Sequence, residues 1–445
     1  MSDKNAFAVN PPMGWNSWDC YGAAVNEETL LKNADYMAQN LKEYGWKYIV
    51  CDIQWYNATA HSSHYQDFSD LCMDEYGRLV PATNRFPSSN NENGFRYIAE
   101  YIHKRGLKFG IHIMREIPRS AVHDNLPVKG TEYRARAIAH ASSICCWNTD
   151  MYGLDSTRPG AQEYYDSIID LYASWGVDFI KVDDICVKYA VMNDERTLSY
   201  GGDEIEMLRR SIDKCGRIIV LSLSPGPALI ENVDHLRKNA NMWRITNDFW
   251  DEWNAIMEMF EKCRQWAPYV SEGCFPDCDI LPVGHISIVG CEHGMHDRLT
   301  RLSHHEQRTM ISLWSIFRSP MMLGCELTDM DDWTKSLVTN KNVNSLLARS
   351  RNAHQVLRSN KHIIWEADDS EEDGIIYVGV FNIVGWAEEF ALKTADLKIE
   401  GEWSAYDMWS KTNIGTLEGS MSLKLDAHDV CLLKLTGIDK HMVSK

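Results

Sequence analysis

From Met13 to Gly324, short apolar or β-branched runs alternate with stretches whose apolar residues recur every three or four positions. The runs predict strands at Met13–Trp18, Tyr48–Trp55, Leu107–Met114 and Asp178–Asp184, then at Ile218–Ser224, Met242–Asp248, Asp279–Gly284 and Pro320–Gly324. Between them the spacing predicts helices over Glu27–Tyr44, Gly94–Arg105, Ala161–Trp175, Glu204–Lys214, Trp250–Trp266 and His304–Phe317. In Ala161–Trp175, for example, Tyr164, Ile168, Leu171 and Trp175 form the stripe of a helix lying on a sheet. Eight strands alternating with helices predict an α/β fold, a (β/α)8 TIM barrel. A doubly wound open sheet is the alternative, but it calls for a Gly-rich phosphate loop after an early strand. "GWKYIVCDIQW" has none.

Near residue 345 the pattern changes. "NKHIIWEAD", "DGIIYVGVFNI", "AEEFALK", "GEWSAYDMW" and "HDVCLLKL" are β-rich and separated by polar or Gly turns. The expected organisation is therefore a (β/α)8 barrel over 1–345 and a small C-terminal antiparallel β-sandwich domain over 346–445. No low-complexity linker or short internal repeat interrupts the chain.

A net charge of −18 argues against nucleic acid or an anionic membrane as partner, since both need a basic footprint. The N-terminus "MSDKNAFAVNPPMGWNSW" lacks the basic and apolar regions of a secretory signal, and no apolar run is long enough to span a bilayer. The expected location is cytoplasmic, or secreted if a leader has been removed. The 13 cysteines lie in apolar contexts and read as buried free thiols. Cys145–Cys146 and Cys274…Cys278 match no common zinc spacing, so no metal is expected.

Chemistry in a barrel gathers at the C-terminal strand ends. Those ends carry Trp15 and Asp19, Asp52 and Trp55, His112 and Arg115, then Lys181, Asp183 and Asp184. Ser222 and Ser224, Arg244 and Asp248, and Asp277 and Asp279 follow. So many polar and aromatic groups converging argues for a hydroxyl-rich ligand. Paired carboxylates with a Lys and an Arg suit glycosidic chemistry, in which one carboxylate attacks and the other carries a proton. Strand alternation puts Lys181 and Asp183 on one face, where the ammonium favours an ionised Asp183. Asp184 then faces the other way, as a capping or salt-bridged residue. The structural alternative for Asp183 is an ion pair with Lys181 that stiffens the barrel mouth. Asp248 lies four residues beyond Arg244 on the same face; its structural alternative is a helix N-cap, shared with Asn247 and Asp251. Asp277 and Asp279 read as supports, His112 as a core residue or a sugar contact, and His304–His305 as capping or solvated. A metal-dependent hydrolase using His112, Asp277 and Asp279, and a non-catalytic carbohydrate-binding barrel, are the competing classes.

"PPMGWNSWDCYG", "WGVDFIKVDDIC", "MWRITNDFWDEW", "PDCDILPVGH" and "LWSIFRSPMMLGCEL" together resemble glycoside hydrolase family 27 of clan D, the α-galactosidases and α-N-acetylgalactosaminidases, in a divergent, bacterial-type branch. The resemblance runs from about residue 11 to 345. It implies a cofactor-independent, retaining exo-glycosidase acting through a covalent glycosyl-aspartate. Asp183 would be the nucleophile and Asp248 the acid/base. Lys181, Arg244, Asp52 and Trp15 would hold the sugar, with His112 and Ser224 also lining the subsite. The implied partner is an oligosaccharide or glycoside substrate, with a homo-oligomer possible. Ile53 follows Asp52 where α-galactosidases have a second aspartate, Gln54 stands where the family often has cysteine, and His112 where it often has tyrosine. Ser224 occupies the place of a glutamate that contacts the 2-hydroxyl, which resembles α-N-acetylgalactosaminidases. β-L-Arabinopyranosidase and isomaltodextranase branches keep other sugars open.

Overall fold

The computed structural model describes residues 3–66, 68–90, 93–115, 117–190, 198–290 and 296–438. Eight short strands form one parallel sheet: β1 (Met13–Asn16), β2 (Tyr48–Cys51), β3 (Lys108–Met114), β4 (Phe179–Asp183), β5 (Val220–Leu223), β6 (Met242–Arg244), β7 (Phe275–Asp277) and β8 (Met321–Leu323). Their order is β7-β6-β5-β4-β3-β2-β1-β8. Beyond β7, Leu281 donates to the Met322 carbonyl at 2.7 Å and accepts from the Gly324 amide at 3.0 Å, which joins the two edges into a barrel. Closure leaves no edge strand exposed.

β1, β2, β5, β6, β7 and β8 are buried along their whole length, as parallel strands covered on both faces must be. Such strands carry no alternation to mark their ends, and the expected boundaries run long. β1 ends at Asn16 and not Trp18, and β6 ends at Arg244, so Asp248 lies in the loop beyond it. The seventh strand is Phe275–Asp277, not Asp279–Gly284. Asp279 has φ +82°, so it does not share a strand face with Asp277 as expected.

Helices Glu27–Asn40, Arg96–His103, Ala161–Trp175 and Gly202–Lys214 accompany these strands in the first compact unit, which spans residues 1–249, 271–299 and 321–330. The first opens with a reciprocal cap between Asn26 and Thr29. The stripe expected in Ala161–Trp175 is buried at Tyr164, Ile168 and Trp175. One insertion had no sequence signal: between β3 and β4, Ile117–Pro118, Met151–Leu154 and Ala139–Ile144 form a small antiparallel sheet.

The second unit comprises residues 250–270, 300–320 and 331–445. Its helix Trp253–Trp266 starts after Glu252, so Asn247, Asp248 and Asp251 do not cap it; Asp251 instead pairs with Arg301. Helix His304–Phe317 is capped by Ser303 and Glu306, not by the two histidines, and His304 stacks on Trp333 at 3.9 Å. Eight antiparallel strands from Ser350 to Gly437 follow. Ile364, Val378, Val380, Leu392, Leu417, Leu433 and Leu435 form their core. Twelve cysteines among the described residues are free.

Candidate active site

All the carboxylates expected at the barrel mouth belong to the first unit, and most converge on two cations. Lys181, on β4, donates to Asp52 Oδ2 at 3.0 Å; that oxygen also accepts from Asn16 Nδ2 at 2.7 Å. Asp52 Oδ1 accepts from the Ile53 amide at 2.9 Å. Burial works against both charges, but each ion holds the other: Asp52 stays below the usual carboxylate range and Lys181 above the usual ammonium range.

Asp183 ends β4 with each oxygen held once. Oδ2 accepts from His112 Nε2 on β3 at 3.1 Å, and Oδ1 from the Asp184 amide at 2.9 Å. Burial alone would raise its pKa; the His112 bond and charge, Lys181 and the Asp184 amide reverse this and hold the carboxyl far below its ordinary value. The result is an ionised carboxylate with a free lone pair on each oxygen, the state a nucleophile needs. His112 is fully buried, and its Nδ1 has no protein partner.

Arg244, at the end of β6, bridges two carboxylates. Nη2 donates to Asp248 Oδ1 at 3.0 Å, and Nη1 lies 2.8 Å from Asp279 Oδ1. The pairing reaches Asp248 through a bend, not along a strand. Asp279 accepts the Phe249 amide at 2.8 Å, which ties the chain just past Asp248. The Asp248 side chain is 51% exposed, the most open carboxylate of the group. Asp277 accepts the Asp279 amide at 2.9 Å, a support role as expected. His112 and Asp279 are committed to different partners, so the His112–Asp277–Asp279 metal reading has no converging ligand set. Among the described residues the one compact group of possible ligands is His305, Asp426 and Asp429, in the second unit.

Trp15 differs from expectation. It is fully buried, and its indole N–H bonds the Cys325 carbonyl at 2.7 Å, so it offers no wall to a sugar. The aromatic beside the Asp52 anchor is Trp18, whose amide bonds Asn16 Oδ1 at 2.8 Å and whose ring stacks on Tyr65 at 5.4 Å. The resemblance implies Trp15; the early end of β1 favours Trp18. Ser224 is buried, its hydroxyl 3.5 Å from the Val182 carbonyl. Gln54 turns away from Asp52 to bond Asp150 at 3.1 Å. Asp19 has a place at the mouth that its sequence context does not mark. Its Oδ2 is buried without a protein partner, and a Cβ on Gly324 would sit 2.2 Å from it. Burial, Asp279 and Asp248 drive its pKa well up, against Lys181.

Asp184 and Asp279 are each pushed up to about 7, chiefly by burial, with Arg115 and Arg244 respectively opposing. Between the unfolded value of 3.8 and about 7, the native state keeps protons that the unfolded chain has lost, so stability falls as pH rises. Asp183 and Asp52 titrate below that window and do not offset it. Thermal melts are expected to give the highest Tm near pH 5 and a decline to pH 8, which Asp279→Asn makes shallower, with the Asp184 share remaining. A wild-type Tm rising over that interval contradicts this account.

The sequence matches the family model described as alpha galactosidase A over residues 10–158 and 149–348. It also matches that of the alpha galactosidase C-terminal beta sandwich domain over 359–435. The chain belongs to glycoside hydrolase family 27. The barrel with its C-terminal sandwich is the family 27 fold, and the chain is a glycoside hydrolase. It is 24% identical to alpha-galactosidase 2 of Arabidopsis thaliana, over 97% of this chain and 91% of the relative. A family 27 β-L-arabinopyranosidase from Geobacillus stearothermophilus, crystallised with arabinose, shares 49% identity and superposes with a TM-score of 0.94. The match covers 98% of this chain and 99% of that one. A putative α-N-acetylgalactosaminidase from Bacillus halodurans shares 46% identity over 97% and 100%, with a TM-score of 0.85. Among the described residues, no helix is long and apolar enough to cross a membrane.

Proposed function

We propose that this family 27 enzyme is a retaining exo-glycosidase for galactose-configured pyranosides, and that it prefers the sugar lacking the exocyclic hydroxymethyl, a terminal β-L-arabinopyranoside. The observation that carries the preference is the Asp52–Ile53 pair. Asp52 is ionised and anchored by Lys181 and Asn16, ready to accept from a ring hydroxyl. Its neighbour Ile53 is a hydrocarbon side chain with no polar atom to offer the 6-hydroxyl of galactose. β-L-Arabinopyranose and α-D-galactopyranose share ring configuration and differ in that one carbon. A galactoside would place its 6-hydroxyl against this hydrocarbon side chain, which costs a hydrogen bond. The 49% identical arabinopyranosidase supports the same reading.

The chemistry is double displacement. Asp183 attacks the anomeric carbon while Asp248 passes its proton to the leaving oxygen, which forms a glycosyl-aspartate. Asp248, then a carboxylate, takes a proton from water as the water attacks, and Asp183 leaves. Arg244 keeps Asp248 in place through both steps. Lys181 neutralises the Asp52–Asp183 side of the pocket.

The test compares kcat/KM for p-nitrophenyl β-L-arabinopyranoside and α-D-galactopyranoside. Wild type should favour the arabinoside by roughly 10- to 100-fold, the range an apolar pocket gives against an added hydroxyl. Ile53→Asp should narrow or reverse that ratio. A wild-type preference for the galactoside would sink the specificity reading and leave the family assignment intact.

A further inference from the structure

Next to the nucleophile lies a buried ion pair that the double displacement does not use. Asp184 is 1% exposed, with φ +54°, a left-handed conformation that Asp and Asn tolerate better than most residues. Its Oδ2 receives Arg115 Nε at 2.8 Å and Nη2 at 2.7 Å, while Oδ1 has no partner. Arg115 is also buried. Its Nη1 reaches Ser143 Oγ at 2.9 Å and Glu204 Oε1 at 3.5 Å. Glu204 is anchored in turn by the Tyr165 hydroxyl at 2.9 Å and the Leu154 amide at 3.2 Å. The insertion between β3 and β4 is built to fit this guanidinium: a Cβ on Gly153 would lie 2.2 Å from Nη1.

Both residues are also bonded to Asp183 through the main chain. The Arg115 amide donates to the Asp183 carbonyl at 2.9 Å, and the Asp184 amide donates to Asp183 Oδ1 at 2.9 Å. Both contacts fall on the peptide that joins Asp183 to Asp184: its carbonyl accepts from Arg115, and its N–H holds the attacking carboxylate. Isolated buried pairs are weak devices for stability, because desolvation offsets most of the attraction. A pair that fixes the peptide from which a reacting group is held has a different use: it holds the carboxylate plane at one angle while the sugar docks.

We propose that Arg115 and Asp184 are positioning residues for the nucleophile, acting on the attack step and not on sugar affinity. The proposal rests on Asp183 being the nucleophile. Misplacing a reacting atom by about 1 Å can cost on the order of 100-fold in rate. The pair touches no expected sugar contact, so ground-state binding should be spared.

The test uses Asp184→Asn, Arg115→Lys and the double variant, with Asp183→Gly as control. Asparagine keeps the left-handed backbone and the amide bond to Asp183 Oδ1 but loses the charge, so the variants are compared at pH 8, above the value of about 7 to which burial pushes Asp184. Turnover is read on the aryl glycoside, arabinoside or galactoside, that wild type hydrolyses faster. Affinity for the matching free sugar and Tm are measured in parallel. The expected result is at least a tenfold fall in kcat/KM for each single variant, free-sugar Kd within twofold of wild type, and a double variant no worse than the poorer single. Should Arg115→Lys fail to fold, Asp184→Asn carries the test. With Asp183→Gly inactive, a fall under tenfold overturns the positioning role alone, as does a fall matched by lost sugar affinity or losses that multiply in the double variant. Unaided activity in Asp183→Gly removes the nucleophile and this proposal together.

Discussion

Asp183→Gly should lower turnover of an aryl glycoside by on the order of 10⁴-fold or more, because no other group can form the covalent intermediate. Added azide should restore a measurable part of the rate. The glycine leaves a cavity next to His112 Nε2, Lys181 and the Asp184 amide, all of which now stabilise the Asp183 carboxylate. A small anion would meet the same three groups. The product should be a glycosyl azide of anomeric configuration opposite to the substrate, since azide replaces only the first displacement. Proton NMR of the product checks this. Unaided turnover near the wild-type level, or an azide adduct with retained configuration, would mean that Asp183 is not the attacking group.

Asp248→Ala should show a loss that depends on the leaving group. A sugar or alkyl leaving group needs its proton, and a positioned acid supplies roughly 10²–10⁴-fold, so an arabinosyl or galactosyl disaccharide should lose about that much. A dinitrophenyl glycoside leaves without help and should lose far less in its first step. Its second step should then become limiting and respond to azide. The geometry points the same way: Asp248 is the half-exposed carboxylate, on the side open to an aglycone, whereas Asp279 is buried behind Arg244. Equal losses on both substrates would argue for a purely structural Asp248, held by Arg244 for its own sake. Arg244→Lys should fall between, because one ammonium cannot reach both Asp248 and Asp279 as the guanidinium fork does.

The residues that define the chemistry were legible for a local reason. A charged group placed straight after an apolar strand is too costly to keep without a partner or a use, and Lys181, Asp183, Asp52 and Arg244 each stand there. Less legible were the groups whose roles depend on where a strand stops. The spacing from Arg244 marks Asp248, but the two share no strand face; a bend beyond β6 brings them together. Trp18 is a further case: the resemblance implies Trp15 as the aromatic wall, but β1 stops at Asn16 and Trp15 is fully buried. Asp184 was expected to point away from Asp183 and to be salt-bridged. It is, yet its partner Arg115 is 69 residues earlier in the chain, and its amide still reaches the nucleophile.

By itself, then, the sequence determined the alternation of strands and helices, the β-rich C-terminal segment, and which side chains carry charge to the barrel mouth. Periodicity and the cost of burying charge act over a few residues and survive in a linear text. The tertiary structure alone decided which carboxylate shares which cation: Lys181 with Asp52, Arg244 between Asp248 and Asp279, Arg115 between Asp184 and Glu204. Those choices set which acids are ionised and which keep a proton. They depend on distances of a few ångströms between groups far apart in the chain, where Coulomb energies in a dry interior are largest and no local pattern records them.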